Sequence, residues 1–341
     1  MKKNQILRIG ILVLGLYLGA SCNSDSQVAP TTIDGGQVTS SLDLIVNDIE
    51  NGNHGETHSL LVYHEGTLLT ENYFDGWTAS DPHYQYSVTK SVASTLIGIA
   101  VDKGFISSLD TPLLDFFPDY PNVQNNTTWK QSITLRDVLA MRAGFQWDEW
   151  TYNYLDERND ANKLIRSDDM MKHMLDLPMA HQPGARFTYN SGCSMLLSGI
   201  LERTTGKTTN EFADEYLFGP LGITQWEWEQ GNDGVYNTGW GLHLRPLDMM
   251  KIGQLFFNRG SFGGQQIVST DWVQTATSDK GNDYGFQWWL TDGDTSFSAR
   301  GWGGQFIFIV PTENLIMVTT AGNFNGGAGG FQLLERVRNS L

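Results

Sequence analysis

Residues 87–104 read SVTKSVASTLIGIAVDKG, and they mark where the chain passes from strand to helix patterning. After Ser87, Val88, Val92, Leu96, Ile99 and Ala100 recur at three- and four-residue steps, and Gly104 closes the run. Upstream, Leu60–Tyr63 and Thr67–Thr70 flank His64-Glu65-Gly66, two apolar runs about a short glycine-containing link that predict a β-hairpin. A helix over Ser40–Ile49 comes before it, with Leu42, Leu44, Ile45 and Val46 as apolar positions and Gly52 as its stop.

Downstream the helical pattern continues. Helices are expected at Leu135–Arg142, with Thr134 and Asp137 as a capping box, and at Asp168–Leu175. Others are expected at Ser191–Thr204, Thr209–Leu217 and Leu247–Asn258, punctuated by Pro121, Pro178, Pro183 and Pro220. Short aromatic or β-branched runs then return at Tyr284–Leu290, Phe297–Arg300, Gln305–Val310 and Leu315–Thr320, before a closing helix near Phe331–Val337. Strands at both ends with helices between them predict an α+β fold rather than alternating βαβ units. The expected architecture is an antiparallel sheet built from both chain ends and flanked by helices, with a mostly helical lobe over roughly residues 111–235 inserted into it.

The 341 residues are 40% hydrophobic and 18% charged, enough for a sizeable core and unlike a coiled coil or a disordered chain. Lys2, Lys3 and Arg8, the apolar run Ile9–Leu18 and the small residues Gly19, Ala20 and Ser21 predict a signal peptide over residues 1–21. The run is shorter than the ~20 residues a membrane-spanning helix needs. Cys22 follows, then a polar stretch to about residue 38 that suits a flexible tether; the main domain is expected over 39–341. A Cys at this point resembles the acylated first residue of bacterial lipoproteins, which predicts export and a lipid anchor at Cys22. The net charge of −16 disfavours nucleic acid as a partner. The only other cysteine, Cys193, reads as a small apolar helix residue, and two cysteines exclude a zinc ribbon.

Ser87-Val88-Thr89-Lys90 is the one Ser-x-x-Lys of the chain. At a helix start, residues three apart share a face, so Lys90 can reach the Ser87 hydroxyl, and free backbone N–H groups favour an anion there. A serine hydroxyl attacks only once its proton is taken, and a lysine takes it only with a lowered pKa. The competing reading is a helix-capping Ser87 and a surface Lys90.

Two further segments tilt the balance: His181-Gln182-Pro183-Gly184-Ala185-Arg186-Phe187-Thr188-Tyr189-Asn190-Ser191-Gly192, and Arg300-Gly301-Trp302-Gly303-Gly304-Gln305. With Ser-x-x-Lys, in that order, they resemble the serine hydrolases related to class C β-lactamases, a group with penicillin-binding esterases, D-aminopeptidases and hydrolases of 6-aminohexanoate oligomers. The resemblance runs from about Leu60 to Gly322. It implies that Ser87 is the acylated nucleophile, that Lys90 shares its proton, and that Tyr189 is placed as base and then as acid for the leaving group, with the choice of Lys90 or Tyr189 as the base left open. It further implies an oxyanion hole from the amides of Ser87 and Gln305, substrate contacts at Ser191, Trp302, Gly303 and Gly304, and no metal or organic cofactor. The chain departs from β-lactamases in two ways. It has no Lys-Thr-Gly, and Ser191 stands where their second motif, Tyr-x-Asn, has Asn. Both departures point toward hydrolysis of a small-molecule or peptide-like ester or amide. The alternatives are a cell-wall D-amino-acid peptidase, transpeptidase or β-lactamase, and a non-catalytic lipid-anchored binding protein on the same scaffold.

The remaining candidates are weaker. There is no Gly-x-Ser-x-Gly, and Gly206-Lys207-Thr208 lacks the upstream glycine of a phosphate loop. His54 and His58 read as loop residues, and His181 and His243 as structural or rim residues without an evident acidic partner. Trp147, Trp240 and Trp302 are candidates to line an aromatic cleft. Specificity is expected in loops, around residues 145–170 and 225–245.

Overall fold

The computed structural model describes residues 35–291, 295–325 and 329–341, so the expected signal run, Cys22 and most of the tether lie outside the described residues. Helix α1 (Gly35–Glu50) leads into the hairpin β1 (Thr57–His64) and β2 (Thr67–Tyr73), the short strand β3 (His83–Tyr84) and the helix α2 (Val88–Asp102). The lobe follows with α3 (Thr128–Gln131), α4 (Leu135–Leu139), α5 (Asp160–Ile165), α6 (Met170–Asp176), α7 (Ser191–Thr205) and α8 (Thr209–Ala213), then β4 (Trp226–Trp228) and β5 (Leu242–Leu244). Next come α9 (Pro246–Phe257), the small hairpin β6 (Ser261–Phe262) and β7 (Gln265–Gln266), and α10 (Thr270–Ala276). Strands β8 (Trp289–Thr291), β9 (Ser296–Gly301), β10 (Gln305–Val310) and β11 (Leu315–Ala321) precede α11 (Gly329–Arg338).

The main sheet has the order β2-β1-β11-β10-β9-β8 with antiparallel neighbours throughout, so its two N-terminal strands pair with the four C-terminal ones. Side chains alternate across it as a two-residue period demands. Leu60, Val62, Phe308, Val310, Leu315 and Met317 pack on Leu42, Ile45 and Ile49 of α1 and Leu333, Leu334 and Val337 of α11. Leu61, Ile307, Ile309, Ile316 and Val318 face the other way, into the core that holds α2, α9 and the lobe. Thus α2 lies between sheet and lobe, and its residues from Val88 to Ala100 are all buried. Beside it, β3, β5 and β4 form a second small antiparallel sheet.

The architecture agrees with the α+β expectation, and several local expectations are corrected. Residues 35–38, placed in the tether, already belong to α1. Leu44 is 62% exposed, off the buried stripe of α1. Tyr284–Leu290 is not one strand: Asn282, Asp283 and Gln287 have φ of 66°, 52° and 63°, and only Trp289–Thr291 joins the ladder. The turn at Gln287 ties three elements together. Its buried amide donates to the Leu139 carbonyl and accepts from Ser194 Oγ at 2.6 Å, and its carbonyl accepts from Ser91 Oγ at 2.6 Å. The helix expected to Arg142 has its capping box but ends at Leu139, because Met141 turns left-handed with φ 56°. The helix from Thr209 ends at Ala213 and widens into a π-turn over Asp214–Phe218.

Candidate active site

Ser87 is the N-cap of α2, yet its side chain caps nothing. Its Oγ instead accepts a hydrogen bond from Lys90 Nζ at 3.0 Å, and the same amine donates to the Gly239 carbonyl at 2.7 Å. Lys90 is 1% exposed, which removes the surface-lysine reading. Burial lowers its pKa from 10.5 to about 8, opposed by the nearby Glu149 charge, which raises it. A surface lysine is neutral in only about one molecule in several thousand at pH 7, whereas a value near 8 makes that about one in ten. The amine is therefore available as a base near neutral pH.

Tyr189 arrives from the other side. The left-handed turn at Met141 lets its carbonyl accept the Thr188 N–H at 2.9 Å, while Met141 Sδ accepts the N–H of Asn190 at 3.3 Å. Asn190 caps α7 by accepting from the Cys193 N–H, so the middle residue of Tyr189-Asn190-Ser191 is spent on the helix start. Tyr189 is buried beside Ser87, and Lys90 Nζ stands 5.1 Å from its ring centroid. Burial and then the Glu149 charge push its phenol well above the usual range, with the neighbouring Ser87 hydroxyl opposing them. Ser87, Lys90 and Tyr189 are thus brought together at one buried point.

Glu149 is a site residue that the sequence analysis missed. It is 2% exposed and accepts from Trp147 Nε1, Tyr154 Oη, the Ser191 N–H and Ser191 Oγ. Four donors hold a carboxylate whose burial would otherwise be costly. No motif announces this: Trp147 and Tyr154 are near in sequence, but Ser191, which gives two of the four donors, is 42 residues away. Trp147, expected to line a cleft, is instead buried as one of these donors.

Tyr86, also missed, has a φ of 47°, a backbone conformation bulky residues rarely adopt and one that costs on the order of 1–3 kcal/mol. Edge-to-face contacts with Trp302 and Phe324, each at 5.6 Å between centroids, hold its ring. The turn leaves the Ser87 N–H without a hydrogen-bond partner among the described residues.

The segment before Ser87 is anchored by histidines. His58 lies inside β1, not in a loop; its Nδ1 meets His83 Nε2 at 2.8 Å and its Nε2 meets Glu56 Oε1 at 3.2 Å. His83 Nδ1 meets the Tyr84 carbonyl at 3.3 Å. Glu56, His58, His83 and the Tyr84 carbonyl thus form one chain of polar contacts. His54 is likewise buried and contacts Arg336, and His243 has Glu229 Oε1 at 3.6 Å, the acidic partner not seen in sequence. His181 stays at the periphery, beside Arg186.

Two cavities meet at Ser87. A narrow one of about 240 Å³ is walled by Tyr84, Tyr86, Tyr154, Leu155, Ala161, Asn162, Ile165, Ser191, Trp240 and Trp302. A wider, more open one of about 800 Å³ is walled by Glu149, residues 150–154, Tyr189, Trp289, Arg300, Gly301, Trp302 and three phenylalanines. Trp302 lines both cavities and Ser191 the narrow one. Gly303 and Gly304 do not line either cavity. They make the β9–β10 turn with φ of 83° and 104°, which explains the glycines without a substrate. Gln305 is fully buried, its side-chain amide bound to the Trp302 and Ala321 carbonyls. The glycine that approaches the nucleophile segment is Gly301, where a Cβ would lie 2.3 Å from the Gln85 carbonyl oxygen.

A family model described as Beta-lactamase matches residues 47–338. The chain belongs to the beta-lactamase family. It is an enzyme, a serine hydrolase related to class C β-lactamases and penicillin-binding proteins. It is 24% identical to a 6-aminohexanoate-dimer hydrolase of Paenarthrobacter ureafaciens over 294 residues, covering 77% of this chain and 71% of that protein. Its fold is similar to that of a penicillin-binding protein homologue from Caulobacter crescentus, with a TM-score of 0.70, 17% identity and coverage of 89% and 98% of the two chains. A family VIII carboxylesterase has a TM-score of 0.69 at 18% identity, with coverage of 89% and 98%.

Proposed function

We propose that this family member hydrolyses an ester or amide through an acyl-enzyme on Ser87. The observation that carries the reading is the Ser87 hydroxyl, bonded to a buried amine and set beside a buried phenol instead of capping its helix. Lys90 in its neutral form takes the Ser87 proton as Oγ bonds to the substrate carbonyl carbon. Tyr189 keeps its proton in the resting enzyme and gives it to the leaving oxygen or nitrogen as that bond breaks. The Lys90 ammonium then restores the phenol. Water repeats the sequence on the acyl-enzyme, releasing the acid and Ser87.

The unpartnered Ser87 N–H supplies one oxyanion donor, and we assign the second to an amide of the turn from Trp302 to Gln305. Losing one such donor costs about 2.7–4 kcal/mol of transition-state stabilisation. Relatives named as a 6-aminohexanoate-dimer hydrolase and a lovastatin esterase support amide and ester substrates respectively. Incubation with a panel of short esters, linear amides, D-Ala peptides and penicillin, followed by intact-protein mass spectrometry, tests the reading. The expected result is a transient acyl adduct on Ser87 with esters or linear amides, absent in Ser87→Ala. Turnover without any adduct dependence on Ser87 would contradict it.

A further inference from the structure

The two cavities are not equivalent, and their difference assigns the two halves of the substrate. We propose that the narrow cavity is the acyl subsite, and that Ala161 and Ile165 of α5 set the length of the acyl chain it accepts. This rests on the proposed acyl-enzyme chemistry. Ser87 borders both cavities, but Tyr189 borders only the wide one. A leaving group protonated by Tyr189 must therefore depart on the wide side, which places the acyl chain in the narrow one.

The character of the narrow cavity fits an uncharged chain. Among the described residues lining it none is Lys, Arg, Asp or Glu, so a charged acyl group would lose its water without gaining a counter-charge. The cation of the pair of cavities, Arg300, borders the wide side, held by Ser298 Oγ and Thr291 Oγ1. At about 240 Å³ the narrow cavity is smaller than the roughly 300–1,000 Å³ of sites that enclose a whole drug-sized ligand, so it suits part of a substrate. Ala161 and Ile165 are one helical turn apart on α5 and present the same face to it. Trimming Ile165 lengthens the space; filling Ala161 shortens it.

The test is a series of p-nitrophenyl esters from acetyl to dodecanoyl, with a p-nitrophenyl hemisuccinate as the charged acyl group, all sharing one leaving group. For the wild type, kcat/KM is expected to peak at a short chain, to fall at least tenfold by dodecanoyl, and to be at least tenfold lower for the hemisuccinate than for the butyryl ester. Ile165→Ala is expected to move the peak by two or more carbons toward longer chains, and Ala161→Leu to move it toward acetyl. Since Ala161 is nearly fully buried and its variant can misfold, Ile165→Ala, at a half-buried site, carries the test alone if needed. Profiles that superimpose on the wild type, or a hemisuccinate accepted as well as butyryl, would overturn the assignment. Labelling of Ser87 by a fluorophosphonate separates the two readings. A labelled enzyme with a flat chain-length profile sinks the acyl subsite alone, while an unlabelled Ser87 sinks the chemistry beneath it.

Discussion

At the scale of single residues, the site turns on one carboxylate that touches neither the nucleophile nor its lysine by hydrogen bond. Burial is the larger cause for both Lys90 and Tyr189, lowering the one and raising the other, and the Glu149 charge raises both, so it tunes the pH range in which the pair is poised. Lys90 must be neutral to accept a proton, so kcat/KM should rise with pH through about 8. In Glu149→Gln the raising influence on Lys90 is gone and the lysine deprotonates at lower pH. The rising limb should then move toward acid, with the remaining fold verified by circular dichroism. A limb that stays in place or moves toward alkali would argue against Lys90 as the titrating base. The sequence disclosed Ser87, Lys90 and Tyr189 because each sits at the start of a helix or in a motif of fixed order. Glu149 and Tyr86 escaped it, since the tie of the one to Ser191 spans 42 residues and the backbone turn of the other has no motif.

At the scale of elements, long periodic segments were legible and short ones were not. The helices α2, α7 and α9 and the strands β9, β10 and β11 fall within a residue or two of expectation. The six-residue helix α5 and the two- and three-residue strands β3, β4 and β5 are too short to display a period, and tertiary contacts define them. Strand β3 has a pH dependence of its own. Burial is the largest cause lowering His83 from 6.5 to about 4, with the backbone bond to Tyr84 opposing and the neighbouring His58 and His243 adding to it. Glu56 is the carboxylate at the far end of the chain, on His58. The unfolded chain binds a proton at His83 below about 6.5 and the folded chain does so only below about 4. Stability from this source is thus complete above 6.5 and lost as pH falls toward 4, by at most about 3 kcal/mol. Urea unfolding at pH 7 and pH 4.5 should reveal this loss in the wild type and a smaller one in His83→Gln. Equal losses in both would place the acid sensitivity elsewhere.

For the whole molecule, the order of elements carried the fold: strands from the two ends of the chain share one sheet, and the helical lobe between them closes over α2. What the order could not give is the division of the cleft, because the two cavities are bounded by separate stretches of chain, from Tyr84 to Phe331, that meet only when folded. The central claim concerns how that assembly activates one hydroxyl. Its most direct test is the rate constant for phosphonylation of Ser87 by a fluorophosphonate, in which Oγ bonds to phosphorus and fluoride leaves, measured by stopped reaction and mass spectrometry in the wild type, Lys90→Met and Tyr189→Phe, each with its melting temperature. The account predicts that both variants stay folded and that phosphonylation slows by about 10²–10⁴-fold in Lys90→Met. A folded Lys90→Met protein phosphonylated at the wild-type rate would contradict it.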